Sequence, residues 1–326
     1  MSSSSLSPRS LETRIHSGRC ARLRFAALAG ALALALAACQ GARDSGRTTA
    51  LAPVTPSPAV ASAALPALQD SGASTSDLAY APVGSAVVRG HSVIVVDAAS
   101  GRVLHEEAAD GLRYPASLTK MMTLYLLFDA LDRGEVTLDT PLKVSANAAS
   151  RPPARLGLKA GTTIPVRKAI QALAVKSAND VAVTVAENLG GSEDAFAARM
   201  MAKARALGMT RTRFVNASGL PDPRQVTTAR DMAILARALK TRHADRAGAF
   251  TARSVSYGGK TFKTTNNLLG QVAGVDGIKT GYISLSGYNL AASAGRGGHR
   301  VIAVVMGGKS EASRDAEVAE ILERYL

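Results

Sequence analysis

The chain has little of several things, and each scarcity removes a class of chemistry. It holds two cysteines among 326 residues, Cys20 and Cys39, and both lie in the N-terminal eighth, so no disulfide framework is available to the rest. Its five histidines are scattered, with no H-E-x-x-H and no Cys/His cluster, so no metal site and no cofactor are expected. No G-x-S-x-G occurs, which argues against a Ser-His-Asp elbow. Tryptophan is absent, and aromatic residues make up 4% of the chain. Acidic residues are the scarce charge, 25 against 39 Lys and Arg, for a formal charge of +14. Basic residues are not interleaved with aromatics in any run, so no nucleic-acid partner is expected, and an anionic envelope surface suits the charge as well.

Residues 1–38 read as an export signal. Arg14, Arg19, Arg22 and Arg24 precede the apolar run "FAALAGALALALAA", Phe25 to Ala38, which has signal-peptide rather than membrane-spanning length. The run ends in "LAAC", Leu36 to Cys39, which resembles a bacterial lipobox, where the cysteine is acylated and becomes the new N-terminus. Ordinary cleavage near Ala38 beside an incidental cysteine is the other reading. Removing 1–38 leaves 34 basic against 24 acidic residues, so the exported chain stays basic. Residues 39–85 are rich in Ala, Pro, Ser and Thr without a steady period and read as a disordered tether. Such a leash has a mean span of about 35–40 Å.

Residues 86–326 read as one domain, long enough to build a core without disulfides. "SVIVVDA" and "RVLHEEA", joined by "ASG", predict a strand hairpin. Helices are predicted from near Ser117, at Arg167–Val175, Asn179–Leu189 and Glu193–Leu207, and from Thr228 to Lys240 with Thr228 and Asp231 as a capping pair. After Arg253 the texture returns to strands, closed by an amphipathic helix from Ala312 to Leu326. Strands at both ends with helices between them predict a sheet drawn from both termini with a helical region inserted.

Chemistry enters at "PASLTK", Pro115 to Lys120, which heads the apolar stretch "MMTLYLLFDAL". Ser117 and Lys120 are spaced to share a helix face, about 5–6 Å apart at Cβ. A serine hydroxyl needs a base within hydrogen-bond reach. A buried lysine becomes one when desolvation or a second cation drives it neutral. A lysine that snorkels from a helix end is the alternative. "SAND", Ser177 to Asp180, offers a hydroxyl and an amide where a loop enters a helix, or simply a helix N-cap. "KTG", Lys279 to Gly281, lies in a strand-like run with Lys279 and Gly281 on one face. Glycine there admits a close backbone approach; a solvated edge-strand lysine is the plainer reading.

Together and in this order, about 60 and 100 residues apart, the three resemble the active-site set of penicillin-interacting serine enzymes. The text between them, including "RYPASLTKMMT", "FVNASGLPDP", "TTARDMA", "NNLLG" and "GVDGIKTGYISLSGYNLAASA", resembles the D-alanyl-D-alanine carboxypeptidases, the low-molecular-mass penicillin-binding proteins, over essentially all of 86–326. The resemblance implies an α/β (α+β) fold, an antiparallel sheet flanked by helices plus a helical region, with the active site at their junction. It implies Ser117 as nucleophile toward the terminal D-Ala-D-Ala bond of peptidoglycan stem peptides, with Lys120 as its base. Ser177 and Asn179 would relay a proton and hold the substrate amide. Lys279, Thr280 and Gly281 would meet the substrate's anionic end, and Arg314 in "GGKSEASRD" its carboxylate. An oxyanion hole would come from the N–H groups of Ser117 and Tyr282. β-Lactams would be inhibitors. Tyr282 stands where the family often has histidine. Many relatives add a β-rich domain and a C-terminal anchor, whereas here attachment is expected through lipid at Cys39. A DD-endopeptidase and a β-lactamase share the machinery, though no E-x-x-L-N segment supplies a deacylating glutamate. A catalytically dead wall-binding module would be expected to carry a damaged motif, and all three motifs are intact.

Overall fold

Unbroken apolar runs in the terminal strands, buried on both faces, decide the architecture. The computed structural model describes residues 90–326; the export signal, Cys39 and the tether lie outside them. In chain order the elements are β1 (Ser92–Asp97), β2 (Val103–Glu107), α1 (Lys120–Asp132), β3 (Pro141–Lys143), α2 (Ala146–Ala149), β4 (Thr163–Pro165), α3 (Val166–Gln171), α4 (Asn179–Gly190), α5 (Glu193–Leu207), α6 (Ala229–Arg242), β5 (Ser254–Tyr257), β6 (Lys260–Lys263), β7 (Val275–Ile283), β8 (Gly287–Arg296), β9 (His299–Gly308) and α7 (Glu311–Tyr325). Five strands form one antiparallel sheet in the order β2-β1-β9-β8-β7, so both chain ends contribute, as the sequence predicted.

Successive residues of a strand face opposite sides. Ile94, Val96, Ile302 and Val304 join the core built with α1, α4 and α6, while Val93, Val95, Val301 and Val305 pack with Val318 and Leu322 of α7. The alanines of β8 serve both sides, Ala291 one and Ala292 the other, and keep the layers close. At roughly 1.5–3 kcal/mol for each large apolar side chain fully buried, both layers hold the sheet firmly. Helix α1 is buried from Lys120 through Phe128, because apolar residues surround it on every side. Among the described residues, no helix is long and apolar enough to cross a membrane.

Local differences from the sequence reading have physical reasons. The expected helix at Ser117 is a 3₁₀ turn, Ala116–Thr119, that runs into α1 at Lys120. The helix expected over Arg167–Val175 divides into α3 and one widened turn, Ala172–Lys176, ended by Ser177 in the left-handed region. Thr228 does cap α6 through the Asp231 N–H, but the Asp231 carboxylate turns away to the Arg211 N–H and the Thr212 hydroxyl. A short hairpin, β5–β6, precedes the main C-terminal strands.

Candidate active site

Four pieces of chain converge on Ser117. The serine sits in the 3₁₀ turn, where residues three apart eclipse one another. Ala116 just before it has φ 49°, a conformation that residues with a Cβ seldom adopt. The turn is held from outside. Asn289 of β8 donates to the carbonyls of Tyr114 and Pro115 at 3.1 and 3.2 Å. Gly219, at φ +84°, presses so close that a Cβ there would lie 1.9 Å from the Ala116 carbonyl oxygen. Gly281 of β7 lies on the other side, where a Cβ would stand 3.0 Å from the Ser117 nitrogen. These contacts give the strained turn one position.

Lys120 is fully buried and meets three oxygens. Its Nζ lies 3.1 Å from Ser117 Oγ and 2.7 Å from Asn179 Oδ1, and it also donates to the Ser218 carbonyl. No carboxylate of the described residues forms an ion pair with it. A neutral amine fits this set: two N–H bonds go to Asn179 and Ser218, and the lone pair receives the Ser117 O–H. Burial, and then the Lys279 cation, push the Lys120 amine well below its usual value, against the pull of the Asp180 carboxylate.

"SAND" folds differently from a helix N-cap. Ser177 has φ 61° and ψ 39°, and no side chain caps α4. The Ser177 Oγ is buried without a hydrogen-bond partner and lines the cleft. Asn179 accepts from Lys120 and donates through Nδ2 to the Pro152 carbonyl at 3.0 Å. Asp180, fully buried, gathers the N–H groups of Leu156, Gly157, Leu158 and Val181 at 2.8–3.1 Å. It thereby fixes the loop 151–161 as one wall of the cleft.

"KTG" supplies the opposite wall. β7 is an edge strand of the main sheet, yet Lys279 is 1% exposed, which rules out the solvated-lysine reading. Its Nζ donates to the Thr280 carbonyl at 2.9 Å. Burial and the Arg314 guanidinium lower its pKa to about 7. The Thr280 and Thr265 hydroxyls are 2.6 Å apart. Tyr282 is 53% exposed at the mouth, its ring 4.3 Å from that of Tyr288. Arg314 lies in the first turn of α7 and is 2% exposed, so it is no surface charge. It donates from Nε to Asp315 at 2.8 Å and from Nη1 to the Asn289 carbonyl at 3.1 Å.

The cleft so formed measures about 290 Å³, and Ser117, Ser177, Asn179, Thr280, Tyr282 and Arg314 all line it. Lys120 and Lys279 stand behind that lining. All nine predicted site residues of this domain are thus brought to one place. Sequence reasoning missed Gly219, Ser218, Asn289 and Thr265, whose roles depend on contacts distant in sequence. Elsewhere, Asp129, Asp132 and His243 could between them reach a metal ion. Lys203 and Arg246 already take those carboxylates, at 2.8 and 2.7 Å.

A buried, uncharged-poised lysine behind a serine, on a sheet closed by helices, is the arrangement of the serine acyl-transfer hydrolases with a lysine base. A family model described as D-alanyl-D-alanine carboxypeptidase matches residues 80–310. The chain belongs to that family. It is 35% identical over 238 residues to the D-alanyl-D-alanine carboxypeptidase DacF of Bacillus subtilis, covering 71% of this chain and 61% of that one. It is 37% identical to DacA of Escherichia coli, covering 71% and 59%. The chain thus spans about three fifths of the length of the curated relatives it matches. Among solved structures it resembles DacD from Francisella tularensis, with TM-score 0.69, 30% identity and coverage of 72% and 69%. It also resembles penicillin-binding protein D2 from Listeria monocytogenes in an ampicillin-bound form, with TM-score 0.63, 31% identity and coverage of 72% and 96%. The mixed fold expected from the sequence is the fold these structures share.

Proposed function

We propose that this protein is a serine-type D-alanyl-D-alanine carboxypeptidase that removes the terminal D-Ala from peptidoglycan stem pentapeptides and is acylated by β-lactams. The observation that carries this reading is the 3.1 Å contact between Ser117 Oγ and a fully buried Lys120 Nζ with no carboxylate partner. Ser117 Oγ attacks the carbonyl carbon of the penultimate D-Ala while its proton passes to Lys120. The N–H groups of Ser117 and Tyr282 hold the oxyanion, an interaction worth several kcal/mol in such sites. The proton then passes by way of the Ser177 hydroxyl to the departing amine, and D-Ala leaves. Water, deprotonated by the same amine, hydrolyses the ester and returns Ser117. Lys279, Thr280 and Arg314 receive the terminal carboxylate, and a planar guanidinium suits that task. Asn179 holds the substrate amide.

Among the described residues, Glu311 is the one carboxylate of the cleft lining, and it stands beside Arg314 rather than Ser117. That supports a slow-deacylating peptidase over a β-lactamase. DD-endopeptidase action remains the second reading of the same machinery, because Tyr282 leaves the mouth open to solvent. The intact motifs weigh against a wall-binding module without catalysis. Export by residues 1–38 to the periplasm or cell envelope, with lipid on Cys39 and a tether over 39–85, completes the proposal; the sequence "LAAC" supports it. Release of D-Ala from a pentapeptide by the full chain, lost in Ser117→Ala, tests the activity. Release only from cross-linked muropeptides would assign the endopeptidase instead.

A further inference from the structure

Two stretches of the sequence carry no acidic residue at all. Residues 140–179 hold seven Lys and Arg, and residues 246–275 hold four. The fold brings them together beside the cleft. The loop 156–162 faces the tip of the β5–β6 hairpin across a groove of about 430 Å³, lined by Leu156, Lys159, Thr162, Tyr257 and Lys260 among others. Lys159 and Lys260 are exposed, and neither forms an ion pair with any described carboxylate. Some cations elsewhere on the surface are matched: Arg230 holds Glu106 and Asp110, and Arg296 holds Glu323. A half-buried Tyr257 adds apolar surface to the groove, and the Thr162 hydroxyl, which donates to the Lys159 carbonyl at 2.7 Å, holds the loop that carries Lys159.

The groove is joined to the cleft by a rigid wall. Pro153 and Ala154 line the cleft, and Leu156 and Gly157, two residues further along the same loop, line the groove. The Asp180 carboxylate clamps the N–H groups of Leu156, Gly157 and Leu158. On the cleft side of the hairpin, Lys176 lies 5.2 Å over the Phe262 ring of β6. A polymer with one peptide in the cleft would therefore meet two unmatched cations as it leaves.

We propose that this groove is a second binding site for the enzyme's polymeric substrate, in which Lys159 and Lys260 receive free carboxylates of a neighbouring stem peptide. The site rests on the peptidase reading. It adds that the enzyme grips peptidoglycan at two points and so favours polymer over short peptides.

The test uses the full chain and its Lys159→Gln/Lys260→Gln double variant. Three quantities are measured: co-sedimentation with insoluble peptidoglycan, kcat/KM on a short D-Ala-D-Ala peptide, and the rate of penicillin acylation. Loss of two exposed charge contacts should weaken polymer binding about tenfold. It should leave the other two rates within about twofold, since neither lysine lines the cleft. Amidating the polymer's carboxylates should weaken wild-type binding to the variant's level and leave the variant unmoved. Equal polymer binding by wild type and variant would overturn the proposal. So would an undiminished gap on amidated polymer, with phosphatidylglycerol vesicles retained by wild type alone, because the groove would then read phosphate. If penicillin acylation and peptide hydrolysis both failed while polymer binding still followed the lysines, the catalytic reading would fall and the groove would stand.

Discussion

Two lysines beside β7 are both withdrawn from water, and the protein treats them in opposite ways. Near the start of the strand, Lys240 of α6 has a side chain 5% exposed and meets Asp276 at 2.9 Å. Burial lowers its pKa, but the carboxylate pulls it back toward the charged form. Three residues along the strand, Lys279 has no carboxylate partner among the described residues; Arg314 acts on it as a like charge, and Lys279 in turn acts on Lys120. A buried cation without a counter-ion is costly, and replacing one by an apolar residue of similar size is often stabilising. The first arrangement serves the fold and the second opposes it. A buried lysine pushed toward its neutral form by a second buried lysine, which in turn lies near a guanidinium, is what a general base and an anion site require.

The largest expected difference between the two is catalytic. Lys120→Met should slow penicillin acylation about a thousandfold, within the usual worth of a general base, as measured by rapid quench. The same change should raise folding stability by about 1–2 kcal/mol in denaturant titrations. Lys240→Met should do the reverse, costing about 1–2 kcal/mol and leaving acylation within about twofold. A Lys120→Met protein that is both slower and less stable would break the comparison.

Position matters next. Gly219→Ala puts a Cβ against the Ala116 carbonyl at a positive φ, displacing the nucleophile's turn. Acylation should fall about a hundredfold, because displacements near 1 Å cost about that much. The pH dependence comes third. Between about 7 and 10.5 unfolded Lys279 keeps a proton that the folded state gives up, so stability rises with pH across that window. The slope, at most about 1.4 kcal/mol per pH unit from this group, should shrink in Lys279→Met. In activity the same sign is expected, since acid would protonate Lys120 and remove the proposed base. The smallest effect belongs to Tyr282→His, which keeps the backbone N–H; kcat/KM should move only a few fold, with any change greatest in its pH profile.

How much of this the sequence foretold depended on the range of the contacts involved. Spacing within "PASLTK" and the short apolar runs "SVIVVD" and "VIAVVM" are local, and they pointed to the proposed nucleophile pair and to the sheet. Ser177 could not be placed from "SAND" alone: a residue before a helix reads as a cap, and its left-handed backbone after a widened turn is set by packing of Ala172–Lys176. Gly219 and Asn289 act on the serine's turn from positions 102 and 172 residues beyond Ser117, so nothing near "PASLTK" hints at them. Arg314 followed from the family resemblance rather than from any local pattern, and its burial to 2% exposure depends on how α7 packs on the sheet.

The central claim is that Lys120 serves as the base behind Ser117 so that the serine can be acylated. Its most direct test is the intact mass of the folded protein after benzylpenicillin, with the adduct mapped by digestion. The account predicts one long-lived adduct on Ser117, absent from Ser117→Ala and Lys120→Ala. Folded wild-type protein that shows neither an adduct nor penicillin turnover would contradict it.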